Sequence, residues 1–471
     1  MRESIFLLLA WVTLSFQLSA QDSTYFYSAG LSGAISSTDS PFWLQSNQFG
    51  SVPNHGSYLS GRAGFYRKYN VNNPRFLQCS AGIEGIANLN VRSTAFLTDL
   101  YLAGKAGPIE ISIGQRREYM GLADSLLTTG SLAMSSNFRP YPKYQISTSN
   151  YTNVFPYHDI LSFKFSYSDG LLDPADVHFG NVPRVPQVFL HQKSFYIKLG
   201  GRHQKLNLFA GFNHQAIWGG EDRIFSGGLK RSSAYEYVIL GKPWGGSRVG
   251  NHFGTIDLAA EWKGKYWEVF LYRQSIYEDG SLVNLSNVAD GLNGLRFRKR
   301  TQNRFGFDLK TLLFELVYTK NQGGAVFDMV TGTFGRDNYF NHYVYVQGWS
   351  YKGRALGTPL VAPQSQIRDN LATSESAFTS NNRLVAFHLG ANATFRETTL
   401  LFKGTHSVNS GTYISEYNPP LYQTSLYIQV ESPLKVRNNT HLTLSLAADF
   451  GQLYPKNTAL MLGWRKSGFK R

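Results

Sequence analysis

Cysteine is almost missing from this 471-residue chain: Cys79 stands alone, which rules out an intramolecular disulfide framework and gives no basis for a thiolate metal site. Charge is also scarce. Lys, Arg, Asp and Glu make up 16% of the residues, against roughly 25% in soluble globular domains. Beyond the N-terminal region no window of about 18 consecutive apolar residues occurs, so membrane-spanning helices are not expected. The apolar fraction is an ordinary 42%, and the missing charge is replaced by Ser, Thr, Asn, Gln, Tyr and 45 glycines, with aromatics at 15%.

Residues 1–20 carry the marks of a signal peptide. Arg2 precedes an apolar run from Ile5 to Phe16, and a small-residue cleavage position follows at Ala20. The run is too short and wrongly flanked for a membrane span. The rest, 21–471, is expected to form one domain. A net charge of +15 would suit nucleic acid, but secretion and the dispersal of the basic residues argue against such a partner. Anionic lipid headgroups or an acidic polysaccharide fit better.

What the chain does have is alternation. In GKYWEVFLYRQS, Trp267, Val269 and Leu271 fall on one face of an extended strand, and Glu268, Phe270, Tyr272 and Gln274 on the other. The same period of two runs through Ile109, Ile111 and Ile113; Phe163 and Phe165; Phe195, Ile197 and Leu199; and Leu206, Leu208, Ala210 and Phe212. It recurs at Ile256, Leu258, Ala260 and Trp262, at Val385, Phe387 and Leu389, at Leu426, Ile428 and Val430, and at Leu442, Leu444 and Leu446. Each run has two different solvents on its faces. Flanks included, the runs reach about 8 to 12 residues, enough to cross a bilayer at a tilt of about 45°.

Open sheet edges are not tolerated in hydrocarbon, so such strands must close on themselves. The expected fold is therefore all-β, a transmembrane antiparallel β-barrel. At roughly 25 residues per strand and connection, the mature chain supplies about 18 strands, with 16 as the alternative. Ala106-Gly107-Pro108 and Lys263-Gly264 read as tight turns. Segments 121–160, 219–250 and 352–382 are too long for turns, and a short helix is expected at Ser365 to Ala377. Such segments enter the lumen, cap an end, or form an outer surface.

The strongest candidate site is GFNHQAIWGGEDRIFSGG, where His214, Gln215, Trp218, Glu221, Asp222 and Arg223 stand beside paired glycines. A flat ring among amides and carboxylates suits carbohydrate, the ring covering an apolar sugar face and the polar groups taking hydroxyls. The alternative is a lumenal network that packs a long loop. A second candidate, YRQSIYEDGS, adds Arg273, Tyr277, Glu278 and Asp279 near a turn. Asp290 and Asn293 in DGLNG are ordinary turn formers, without the spacing of a calcium loop. Arg296, Arg298, Lys299, Arg300 and Arg304 form the densest positive cluster, suited to lipid phosphate, an acidic glycan or a solvated rim.

Enzymatic motifs are not evident. His214 and Glu221 lack HExxH spacing, no GxSxG elbow occurs, and adjacent Glu221 and Asp222 on a strand would point to opposite faces. No cofactor or metal is expected. A hydrolase remains the third alternative, built from distant carboxylates such as Glu221 and Asp279.

PFWLQSNQFG at 41–50, GFNHQAIWGG, and the block HFGTIDLAAEW…YWEVFLYRQSIYEDGS…NVADGLNGLRF together resemble the capsule assembly Wzi family of outer-membrane proteins, in the form carried by Bacteroidetes-type bacteria. The likeness extends over residues 25–465. It implies an 18-stranded barrel whose lumen is obstructed by side chains, loops and short helical segments. It also implies a non-enzymatic role as a lectin-like anchor for surface or capsular polysaccharide at the cell outer membrane. Bulky inward Tyr and Phe agree with a blocked barrel; a porin or sugar-selective channel is the second function, and a monomer in contact with outer-membrane lipid is expected. PFWLQSNQFG, with Trp43, Gln45, Asn47 and Gln48, either plugs the barrel or closes its first strand. MLGWRKSGFKR departs from common barrel practice in not finishing on an aromatic, which leaves Trp464 or Phe469 to serve in its place.

Overall fold

The computed structural model describes residues 24–72, 75–245, 247–278, 285–301, 303, 306–328, 330–331, 333–374, 377–434 and 439–469. The expected signal peptide, Asp279 and Arg304 lie outside the described residues. The chain winds up and down through β1 (Tyr25–Ser36), β2 (Tyr58–Arg67), β3 (Leu77–Leu89), β4 (Thr94–Ala106), β5 (Ile109–Gln115) and β6, which is broken into Lys143–Thr148 and Thr152–Phe155. It continues through β7 (His158–Leu171), β8 (Phe189–Leu199), β9 (Leu206–Trp218), β10 (Asn251–Lys263), β11 (Trp267–Tyr277) and β12 (Gly291–Lys299). The circuit ends with β13 (Phe307–Tyr318), β14 (Leu384–Phe395), β15 (Thr398–Gly411), β16 (Glu416–Pro433), β17 (Thr440–Gly451) and β18 (Asn457–Phe469).

Each strand pairs antiparallel with its neighbours in sequence, and β18 returns to pair with β1 from Phe26↔Phe469 to Ser36↔Ala459. Eighteen strands thus close the cylinder, because both halves of β6 pair with β7. Phe469 does lie on the seam, edge-on to Phe26 at 5.3 Å.

The two faces divide as the alternation predicts. Leu271 is 56% exposed on the outer wall, whereas the next residue, Tyr272, is 2% exposed inside. Ile111, Ile113, Phe195, Leu208, Phe212, Leu258, Trp262, Phe387, Ile428 and Leu444 also stand exposed outside. Lipid needs no hydrogen-bond donors from such a wall, since every strand finds its backbone partners in the closed sheet.

The longest connections all stand at one end of the barrel. Residues 107–108, 156–157, 264–266 and 396–397 make short turns at the end that also carries the first and last strand termini. At the other end stand 37–57, 116–142, 172–188, 219–250 and 319–383. Short periplasmic turns and long outer loops are the outer-membrane pattern, which makes the long-loop end extracellular. Among the described residues no helix is long and apolar enough to cross a membrane. The α-helices are α1 (Phe42–Gln45), α2 (Glu221–Ile224) and α3 (Arg231–Leu240).

The helix expected at Ser365 to Ala377 is instead two 3₁₀ turns, Gln364–Gln366 and Asp369–Leu371. Tertiary contacts interrupt it: Ile367 between them is buried, and the Arg368 guanidinium donates to the carbonyls of Gly451 at 2.8 Å and Tyr454 at 3.1 Å.

Candidate functional site

Three long loops descend into the barrel and fill it. The 116–142 loop brings Leu127 against Gly390 and offers its carbonyl to His388 Nε2 at 2.7 Å. Glu315 on the wall accepts from the Thr128 hydroxyl at 2.6 Å and from the Thr129 N–H at 2.6 Å, and Gln274 Oε1 accepts the Leu132 N–H at 3.0 Å. The 37–57 loop inserts α1: Trp43, fully buried, donates its indole N–H to Thr405 at 3.1 Å. PFWLQSNQFG is therefore a plug and not a strand. A third loop, 319–383, lays Tyr339, Phe340 and Trp349 over Phe253, with the Trp349 N–H on the Ala133 carbonyl at 2.7 Å.

Below this apolar plug the lumen turns polar. A cavity of about 460 Å³ is lined by Tyr69, Glu110, Arg116, Glu118, Tyr151 and Lys164, among others. Arg116 is held between Glu110 and Glu118, and Glu118 also takes Lys143 at 2.5 Å. The basic cluster read from the sequence is tied into local contacts. Arg296 faces Asp124 at 3.5 Å and Glu268 at 3.3 Å, Lys299 meets Asp308 at 2.5 Å, and Arg300 donates to the Gly264 carbonyl at 2.6 Å.

The candidate residues on β9 divide by parity. Leu208 and Phe212 stand exposed on the outer face, and β9 pairs with both neighbours without a register shift, so His214 and Trp218 continue that face while Gln215 points inward. They escape solvent because α3 lies against the outer wall. Its Ala234 and Val238 pack with Phe189, Ala216, Trp218 and Val249 in a second small core outside the barrel. The Trp218 ring lies between Phe189 at 4.9 Å and Tyr235 at 5.5 Å. His214 contacts His252 at 2.8 Å, and Tyr277 stacks on Phe212 while donating its hydroxyl to the Asn213 carbonyl at 2.7 Å.

Glu221 opens α2 and is buried. Its carboxylate accepts the Gly219 N–H at 2.8 Å and lies 3.2 Å from the Tyr345 hydroxyl, tying the 219–250 loop to the 319–383 loop. Burial pushes its pKa up, partly offset by these two hydrogen bonds. Asp222 and Arg223 on the same turn are exposed. His214, Gln215 and Trp218 on β9 and Tyr277 on β11 are thus built into the barrel wall and Glu221 into the loop junction, while Asp222 and Arg223 face water.

Sequence reasoning missed the neighbours that other loops supply. Asn181 donates its N–H to the Ile224 carbonyl at 2.8 Å, which sets the exposed Phe179 beside α2. Tyr343, also exposed, reaches Ser247 at 3.4 Å. No local motif marks them, because each comes from a different loop.

A family model described as capsule assembly protein Wzi matches residues 35–387, three-quarters of the chain. The chain belongs to the Wzi family. Among solved structures, the Escherichia coli Wzi protein, described as a carbohydrate-binding β-barrel involved in group 1 capsule assembly, is 14% identical over 98% of this chain and 87% of that one, with a TM-score of 0.60. Acinetobacter baumannii OccAB4 and Pseudomonas aeruginosa OpdL are 9% and 8% identical, each over 95% of this chain and 99% of theirs, with TM-scores of 0.47 and 0.48. No curated protein sequence matches the chain. Membership in the Wzi family and the closed barrel place the protein in the outer membrane, and the filled lumen is now a property of this member of the family.

Proposed function

We propose that the protein is a non-enzymatic, lectin-like anchor that holds capsular or related surface polysaccharide at the outer membrane, working as a monomer. The observation that carries this is the plug: three loops from the extracellular end meet inside the barrel and bury Trp43, Leu127 and Trp349 against one another's neighbourhood in a single apolar core. A diffusion channel needs a continuous hydrated path, which such a core interrupts. The carboxylates of Glu221 and Asp222 also make a poor glycosidase pair, since one is buried in loop contacts and the other is exposed.

Within the candidate set, Asp222 and Arg223 are the members that meet glycan, with Phe179 and Tyr343 as aromatic platforms for sugar faces. His214, Gln215, Trp218, Glu221 and Tyr277 build and hold the loops that present them. The test combines retention of the host's own surface polysaccharide by detergent-solubilised protein with conductance in planar bilayers. Retention without conductance supports the anchor, and the Asp222→Ala/Arg223→Ala double variant should weaken it. Stable ion-conducting pores with no retention would overturn it.

A further inference from the structure

The polar cavity below the plug, at about 460 Å³, has the size of a small-molecule site. Its walls include Tyr69, from the connection between β2 and β3, and Tyr151, close to the 156–157 turn, so it lies towards the periplasmic end. The glycan contacts proposed for Asp222 and Arg223 stand at the opposite end.

The charged groups that line it are paired, with one exception. Glu110 and Glu118 hold Arg116 at 2.5 and 2.6 Å, and Asp99 and Glu84 hold Arg117 at 2.7 and 3.0 Å. Lys164 is the exception: it lines the cavity, is only half-buried, and makes no ion pair or hydrogen bond among the described residues. Glu118, whose field reaches it, is already shared between Arg116 and Lys143. In the pairing of β7 with β8, Lys164 stands opposite the buried Tyr196, and Lys198, also without an ion pair among the described residues, stands opposite Ser162. Two inward-facing like charges thus lie diagonally across adjacent strands. A cation held partly out of water with no counter-charge marks a place for an anion.

The neutral lining narrows the class of anion. Ser166, the next inward residue on β7, and Ser194 both line the cavity and share a single hydrogen bond at 2.7 Å. Whichever hydroxyl donates, the other keeps its proton for a guest. An ammonium and a hydroxyl are both donors, and a carboxylate, which only accepts, matches them with its two oxygens. Tyr119 is edge-on to the buried Phe49 at 5.3 Å yet remains 58% exposed, so much of its ring faces the cavity. Such a ring beside hydroxyls suits the apolar face of a sugar.

We propose that this cavity, in the periplasmic half of the barrel, binds a saccharide unit bearing a carboxylate, that is, a uronic acid residue. Lys164 takes the charge, the Ser166–Ser194 pair donates to the second oxygen, and Tyr119 covers the sugar ring. The site goes beyond the outer anchor and does not depend on it.

Saturation-transfer NMR and calorimetry on the detergent-solubilised protein test it with the methyl glycosides of glucuronic acid and glucose, and with acetate and inorganic phosphate as competitors. The glucuronide should bind roughly tenfold or more tightly than the glucoside. Lys164→Gln, which keeps the length of the side chain but not its charge, should abolish that preference, and Lys164→Arg should keep most of it. Tyr119→Ala should weaken binding of both glycosides, with heat-modifiable gel migration showing that all three variant barrels are folded. Equal affinity for the two glycosides, a preference that survives Lys164→Gln, undiminished binding in Tyr119→Ala, or displacement of the glucuronide by acetate or phosphate at equal concentration would overturn the proposal. If the wild-type protein retains polysaccharide but does not prefer the glucuronide, the cavity site fails and the anchor stands. If it prefers the glucuronide through Lys164 but retains no polysaccharide, the anchor fails and the cavity site stands.

Discussion

Glu315, on the inner wall of β13, holds Thr129 of the plug through one carboxylate oxygen: Oε2 accepts the Thr129 N–H at 2.6 Å and its hydroxyl at 2.8 Å. The other oxygen takes Thr128 and the Tyr272 hydroxyl, so a single buried carboxylate joins the loop to two wall strands. Charge-assisted bonds of this kind are the stronger ones. Replacing it with an apolar side chain leaves the threonine donors buried and unpaired.

Glu315→Leu should therefore make local opening of the plug cheaper by roughly 3 kcal/mol. Wild-type protein in planar bilayers is expected to stay silent, and the variant to show intermittent ion-conducting steps while remaining a folded barrel. A silent Glu315→Leu with an unchanged hydrogen-exchange rate in 116–142 would count against this carboxylate as the latch.

Leu271 tests the lipid-facing wall. Leu271→Arg puts a cation into hydrocarbon and should lower barrel stability by roughly 2–4 kcal/mol if it lies near the midplane. Guanidinium-dependent refolding in lipid vesicles measures the loss; an unchanged midpoint would deny that this face meets lipid.

Trp218 tests the role of α3. Trp218→Ala removes the ring between Phe189 and Tyr235, a large-to-small change in a closed core that costs about 3–5 kcal/mol. The loss should appear as faster amide exchange across Arg231–Leu240, with the rest of the barrel unaltered. Equal exchange in both proteins would mean that the helix is held by its polar contacts alone, such as the Tyr235 hydroxyl on Asp169 at 2.6 Å.

His342 gives the plug a pH dependence. Its Nδ1 accepts the N–H groups of Val344 at 3.3 Å and Tyr345 at 3.2 Å, so the bonded form is unprotonated. Desolvation, helped by His252, pushes its pKa down from 6.5 to about 3. Above pH 6.5 the ring is neutral folded or unfolded and has no pH-linked effect. As pH falls from 6.5 towards 3, the unfolded loop binds a proton that the folded loop refuses, and stability is lost. Limited proteolysis of the 319–383 loop should thus quicken between pH 7 and pH 4, and His342→Gln should flatten that slope.

The barrel was legible in the sequence because its two faces meet two solvents. A residue such as Leu271 or Tyr272 reports its side by its own chemistry, and the period of two repeats the report along every strand. The site was less legible. His214 and Trp218 have the composition of a sugar-binding surface, yet parity puts them on the outer wall, and only α3 packing over that wall explains why such residues stand above the lipid-facing band. Arg296 looked like part of a free basic patch until Asp124, far away in sequence, came to meet it.

By itself the sequence determined closure, approximate strand number and which side chains face outward, since backbone hydrogen bonding in a barrel wall and strand alternation are local constraints that leave few solutions. The tertiary structure decided what fills the cylinder. Loops have no periodic code, and the meeting of Trp43, Leu127 and Trp349 in one core depends on chain segments far apart in sequence folding into the same lumen.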